Sequence, residues 1–219
     1  MKKTVPLKDA VAMIPEGAVV MAGGFMGVGS PQRLIGELVR QRRGDLILVC
    51  NDTARPGMGV GCLIDAGLVK KVITSHIGTN PVTQQRMLDG SIEVELVPQG
   101  TLAERVRAGG FGLGGILTPT GVGTLVAEGK RTLEIDGRCF LLETALKADF
   151  SLINAKRADY YGNLEYTLTA RNFNPLMAMA AATTIAEAES IVPVGVIPPD
   201  SVVTPGVLVH ILVGRERLS

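Results

Sequence analysis

The sequence predicts an α/β fold: an open, mainly parallel sheet flanked by helices, with glycine-rich loops at its carboxyl edge. Three observations predict it. Short apolar runs at 19–21, 46–50, 69–74 and 92–97 alternate with amphipathic segments, as βαβ units require. The 27 glycines cluster at 23–29, 57–61, 109–115 and 121–123 instead of spreading, which marks built loops. At 219 residues, 46% of them apolar, the chain can bury one sizeable core, so a single domain over 1–219 is expected.

Leu7–Met13 has helical spacing and stops before Pro15 and Gly17. Val19–Met21 is a buried strand that breaks into Gly23, Gly24, Phe25, Met26, Gly27, Val28 and Gly29. Ser30 is placed to cap, and Pro31 to open, a helix Gln32–Arg42 that Gly44 closes. Leu46–Cys50 completes a βαβ unit, and Asn51-Asp52 leads into a second glycine loop, 55–61, and an apolar segment around Leu63 and Ile64. Val69–Thr74 runs into SHIGTNPVT at the carboxyl edge, where open sheets bind ligands. A short helix Gln84–Leu88, a strand Ile92–Val97 and, after Gln99, a helix Thr101–Ala108 follow.

The stretch 109–124 has almost no charge and no periodic pattern; so long a loop in a compact domain is functional or disordered, and its lack of charge argues against disorder. Asp136-Gly137 between Arg131–Ile135 and Arg138–Leu142 is a hairpin signal. Phe150–Ala155 reads as a strand and Tyr160–Asn163 as a turn into Leu164–Tyr166. Asn174-Pro175 opens a helix Leu176–Thr184, with a strand-like Thr184–Ala188 after it. Four prolines in the apolar tail exclude a long helix or a central strand there. The tail therefore needs cover, from the domain or from another subunit.

A net charge of +1 and 4% aromatic residues provide neither field nor stacking platform for nucleic acid. No segment has secretory or membrane-spanning character, and cysteines without a CxxC pair fit a reducing cytoplasm. Cys50 and Cys139, in apolar runs, read as core thiols. His76 and His210 lack partners at metal-ligand spacing, so no metal is expected. His76 reads as a hydrogen-bonded structural group ahead of a catalytic one, His210 as core.

The loop Gly23–Gly29 would bring backbone N–H groups to an anion at a positive helix end. Two other readings share it: a plain tight turn, and a dinucleotide loop with Asp52 as the ribose acid, although its glycine order reverses GxGxxG. Glu16, Glu37, Glu104, Glu128 and Glu143 occupy no setting that marks a nucleophile, and no GxSxG is present. The residues describe half of an active site.

GGFMGVGSPQRLI, SHIGTNP, VPQGTLAERVRAGG, LTPTGVGT and TARNFNPLMA occur together in this order. With them the chain resembles the α subunit of the 3-oxoacid coenzyme A-transferase family, in its bacterial acetate/acetoacetate (butyrate–acetoacetate) branch, from about Val5 to Val213. The resemblance implies ping-pong transfer of CoA between a short-chain acyl-CoA and a short-chain carboxylic acid. A β-subunit glutamate would attack the thioester, form an acyl anhydride, and be recaptured by the CoA thiolate as a glutamyl thioester. It further implies a β partner in an α2β2 heterotetramer, CoA as substrate with no tightly bound cofactor, Gly23 to Gly29 as a CoA-binding loop and Gln99 as an oxyanion donor. A nucleotide-binding module and a non-catalytic structural subunit remain the competing expectations.

Overall fold

The computed structural model describes residues 4–214, so the ends of the expected 1–219 domain lie outside the described residues. The chain runs α1 (Leu7–Ala12), β1 (Val19–Ala22), α2 (Gln32–Gln41), β2 (Leu46–Asp52), α3 (Gly61–Asp65), β3 (Val69–His76), α4 (Pro81–Leu88), β4 (Glu93–Leu96) and α5 (Gln99–Gly110). It continues through β5 (Gly115–Thr118), β6 (Thr132–Ile135), β7 (Arg138–Thr144), β8 (Ala148–Asp159), β9 (Leu164–Glu165), α6 (Asn174–Ala180), β10 (Ala181–Val192) and β11 (Ile211–Val213). The main sheet has the order β11-β10-β8-β1-β2-β3-β4, parallel throughout, with β9 added antiparallel to β8.

Alternation along the strands divides the core into two layers. Val20, Leu48 and Cys50 join Leu34, Leu38 and Ile64 on the face covered by α1, α2 and α3. Met21, Val49 and Ile73 join Leu102, Val106 and Met177 on the face covered by α5 and α6. Every strand of the first βαβ units ends at the same edge, and the turns that follow β1, β2, β3 and β4 form that edge's surface.

Several local expectations are corrected. Ser30 does not cap α2: Pro31 holds the cap position, and the Leu34 amide donates instead to Glu187 Oε2 of β10 at 2.8 Å. Arg42, left-handed at φ 53°, ends that helix two residues before Gly44. The stretch after α5 is no unpatterned loop, because its glycines hide a strand, β5, in a second sheet of order β5-β7-β6. The expected hairpin is present there, with Ile135 opposite Arg138 and both Asp136 and Gly137 at positive φ. Helix α6 stops at Ala180, since Ala181–Thr184 already pairs with Ala148–Ser151 of β8 and pairing overrides the helix propensity of alanine. The tail partly wraps the domain, burying Ile197 and Val209 and adding β11 at the sheet edge, while Val194, Val196 and Val207 stay exposed. Cys139 and His210 are exposed rather than core, and His210 Nδ1 accepts the Thr184 amide at 2.9 Å.

Glu187 is 3% exposed and ties three elements together. It caps α2, while Arg33, 3.8 Å away, donates to the carbonyls of Ala188 and Gly214 and so fastens the C-terminal strand. Burial pushes the Glu187 carboxyl up from 4.5, and the Leu34 amide and Arg33 only partly oppose it. The folded chain therefore binds this proton more tightly than the unfolded one, so this group's contribution to stability falls as pH rises from about 4.5 through the raised value. In urea titrations, the stability of the wild type relative to Glu187→Gln should grow as pH falls from neutrality through that window. A difference independent of pH would contradict the assignment.

Candidate active site

The turn after β1 lies in the middle of the carboxyl edge and is held from both sides by other elements. On one side Asp52, at the end of β2, accepts the Met26 amide at 2.9 Å through Oδ2 and the Ala54 amide at 2.8 Å through Oδ1. Met26 and Ala54 both adopt left-handed backbone, at φ 49° and 53°, which costs a non-glycine residue about 1–2 kcal/mol. One carboxylate thus pins two strained loops.

On the other side stand two asparagines of TARNFNPLMA. Asn172 accepts the Gly24 amide through Oδ1 at 3.0 Å and donates to the Val28 carbonyl at 2.9 Å. Buried Asn174 donates to the carbonyls of Gly29 and Ala170 and accepts the Asn154 amide. These contacts leave no space for a Cβ. One on Gly23 would sit 1.9 Å from Asn174 Oδ1, and one on Gly29 would sit 2.3 Å from the Ala170 carbonyl.

The segment after β3 closes the third side. Ser75 Oγ donates to the Asn51 carbonyl at 2.6 Å, Thr79 Oγ1 to the Ala54 carbonyl at 2.9 Å, and Asn80 Nδ2 to the Thr53 carbonyl at 2.8 Å. Asn80 also caps α4 with its Oδ1.

These contacts correct the picture of bare amides facing a ligand. Within the turn, Gly23, Gly24, Phe25, Met26 and Val28 donate to protein acceptors, and only Gly27 and Gly29 keep amides without one among the described residues. The positive end of α2 is likewise occupied by Glu187. Asp52 is 5% exposed and both its oxygens are engaged, so it has no acceptor to offer a ribose.

What reaches the surface is an open groove in two parts. The smaller part, about 550 Å³, joins Phe25 and Met26 to the polar side chains of Asn51, Asp52, Ser75, His76 and Gln99. The larger part, about 710 Å³, is mostly apolar and joins the same Phe25 and Met26 to Val28, Leu168 and Arg171. Of the loop residues named from the sequence, Phe25, Met26 and Val28 line the groove, as does Gln99. Gly23 and Gly24 are buried behind it, and Gly27 and Gly29 are half-buried.

Gln99 is the first residue of α5, at the surface, and its Nε2 donates to Asn51 Oδ1 at 3.2 Å. His76 is exposed in the groove and, among the described residues, its ring makes no hydrogen bond, contrary to a hydrogen-bonded structural role. Sequence reasoning missed Asn172 and Asn174; the only signal was the unusual pairing of asparagines in RNFNP.

No nucleophile stands ready in this groove. Ser75 is hydrogen-bonded, Asp52 is fully engaged, and Cys50 behind the turn has its thiol pushed up to about 12 by burial, so it stays protonated. The fold and groove define an α/β chain with an open cleft beyond the carboxyl ends of its parallel strands, lined by the Gln99 amide and by no free nucleophile. Residues 4–215 match the coenzyme A transferase family, and the chain belongs to it.

Acetate CoA-transferase subunit alpha of Escherichia coli strain K12 is 54% identical, covering 98% of this chain and 98% of that one. The acetoacetyl-CoA:acetate/butyrate CoA transferase alpha subunit of Clostridium acetobutylicum is 45% identical, covering 96% and 97%. The thioester complex of an acyl-CoA transferase from E. coli O157:H7 with CoA superposes over 97% of this chain with a TM-score of 0.87. At 23% identity that likeness is one of fold, and the chain spans 47% of that longer polypeptide. No helix of the described residues is long and apolar enough to cross a membrane.

Replacing Gly29 by Ala should destabilise the chain by at least about 2 kcal/mol, because left-handed strain and overpacking against a backbone carbonyl act together. Gly57, also at positive φ but with open space around it, is the control for strain alone. Equal losses in urea unfolding would mean that the clamp on Gly29 is unimportant.

Proposed function

We propose that the chain is the α subunit of an acetate/acetoacetate-type coenzyme A transferase and contributes the oxyanion side of the active site. The observation that carries this reading is the meeting of the Gln99 amide and the Phe25–Met26 turn in one groove that lacks a nucleophile. Its relatives are named as alpha or A subunits, which supports a separate β chain as the source of the attacking glutamate.

The groove's two parts suit an acyl thioester. The larger part beside Phe25, Val28 and Leu168 would take the flexible arm of CoA, and the smaller part, where Asn51, Ser75 and Gln99 present polar groups, its thioester carbonyl. When the partner's carboxylate adds to that carbonyl, the oxygen becomes negative, and an N–H of Gln99 is available to stabilise it. CoA leaves as thiolate, and the acyl group stays on the glutamate as an anhydride. The thiolate then attacks the glutamyl carbonyl and releases the first acid. The second acid's carboxylate attacks the glutamyl thioester, and the returning thiolate takes the new acyl group.

Because the attack comes from outside this chain, the β subunit must approach the carboxyl edge, close to exposed Phe25 and Val28. Exposed Leu117, Leu125, Leu133 and Ile135 around the small sheet, with Val194 and Val207 of the tail, offer further apolar contact area for an α2β2 assembly.

In the assembled enzyme, Gln99→Ala should lower kcat by roughly 10²–10³, the usual effect of losing one oxyanion donor. An unchanged kcat would remove Gln99 from this role. The purified chain without β should give no acyl transfer between acetyl-CoA and acetoacetate, and turnover by the chain alone would refute the division of labour.

A further inference from the structure

Three side chains in the groove form a line whose polarity is set at one end. Asp52 is acceptor-only when ionised, and it receives amides from Met26 and Ala54 together with Asn51 Nδ2, the last at 2.6 Å. Asn51 must therefore turn its amide nitrogen toward Asp52 and its oxygen away. That oxygen meets Gln99, which can respond only with Nε2. The orientation of a glutamine amide at the surface, ordinarily free to flip, is dictated by a buried carboxylate that reaches it through one intervening side chain.

We propose that Asp52 is a positioning residue for Gln99, acting through Asn51 to fix which end of its amide is anchored and to leave the second Nε2 hydrogen as the donor to substrate. The inference rests on the oxyanion reading of Gln99. It also gives a task to a nearly buried carboxylate in the wall of the groove.

The substitution Asp52→Asn keeps the shape and changes the logic. If the substituted side chain keeps its oxygen on the Ala54 and Met26 amides, its nitrogen faces Asn51, which must turn over, and Gln99 must then present its oxygen to Asn51. If it turns the other way, its nitrogen opposes the Ala54 amide and releases that strained loop. The first outcome loses the anchored donor; the second keeps the line to Gln99 but loosens the turn and the loop that Asp52 clasps. Asn51→Ala cuts the line while leaving the bonds from Asp52 to Met26 and Ala54 in place, so it separates relay from clasp.

The test is steady-state kinetics of the assembled α–β enzyme with acetyl-CoA and acetoacetate for Gln99→Ala, Asn51→Ala, Asp52→Asn and the double variant Asn51→Ala/Gln99→Ala. Expected are kcat losses of at least about tenfold for Asn51→Ala and Asp52→Asn, with KM within about threefold, and a double variant within about twofold of Gln99→Ala. Wild-type kcat in Asn51→Ala, losses confined to KM, or multiplying effects in the double variant would each overturn the relay. A slow Gln99→Ala beside a fast Asn51→Ala sinks only the relay. A fast Gln99→Ala sinks the oxyanion reading, and the relay with it.

Discussion

The turn after β1 has no means of holding its own shape, and the carboxyl edge of the sheet depends on the groups that hold it. Four of its seven residues are glycine, and its one internal bond pair joins Phe25 to Val28. Everything else comes from far along the chain: a carboxylate 26 residues later and two asparagines about 145 residues later. Such contacts form only after β1, β2 and β8 have been brought into one sheet, so the site is a product of the complete fold and not of a local motif. Packing this close also explains the glycines, since a methyl group at Gly23 or Gly29 would strike groups that are themselves committed.

Internal satisfaction has a cost for ligand binding and a benefit for chemistry. Amides that already donate to Asp52, Asn172 and the Val28 carbonyl cannot serve a phosphate, and the positive end of α2 is taken by Glu187. The groove is left with few donors, and those of Gln99 and Ser75 are each held by a neighbour. A catalytic site gains from that arrangement, because donors fixed before the reaction need no reorganisation as charge develops.

The fold class was legible because parallel strands in this chain are apolar runs separated by helices and glycine breaks, and those periodicities are local. Strand β5 was not, since Gly115–Thr118 is only four residues behind a run of glycines and too short to show an alternating period, and the end of α6 was not, because the pairing of Ala181 with Ala148 depends on residues outside any local window. In the groove, Gln99 and the turn could be named as candidates from their motif. The tasks of Asp52, Asn172 and Asn174 could not, because a polar side chain that secures a distant backbone looks in sequence like any loop residue. Its place at the end of β2 even points Asp52 the opposite way, toward a ribose.

The small sheet ends in β6, where Thr132, Leu133, Glu134 and Ile135 are all exposed and the outer edge has no strand beside it among the described residues. An open edge bearing two large apolar side chains can template the addition of another strand, from any copy that meets it. Lys130, Arg131, Glu134, Asp136 and Arg138 surround it with charge of both signs, the usual gatekeepers of such a segment. Where nothing covers that edge, charge and its hydration keep copies apart, a defence that salt weakens.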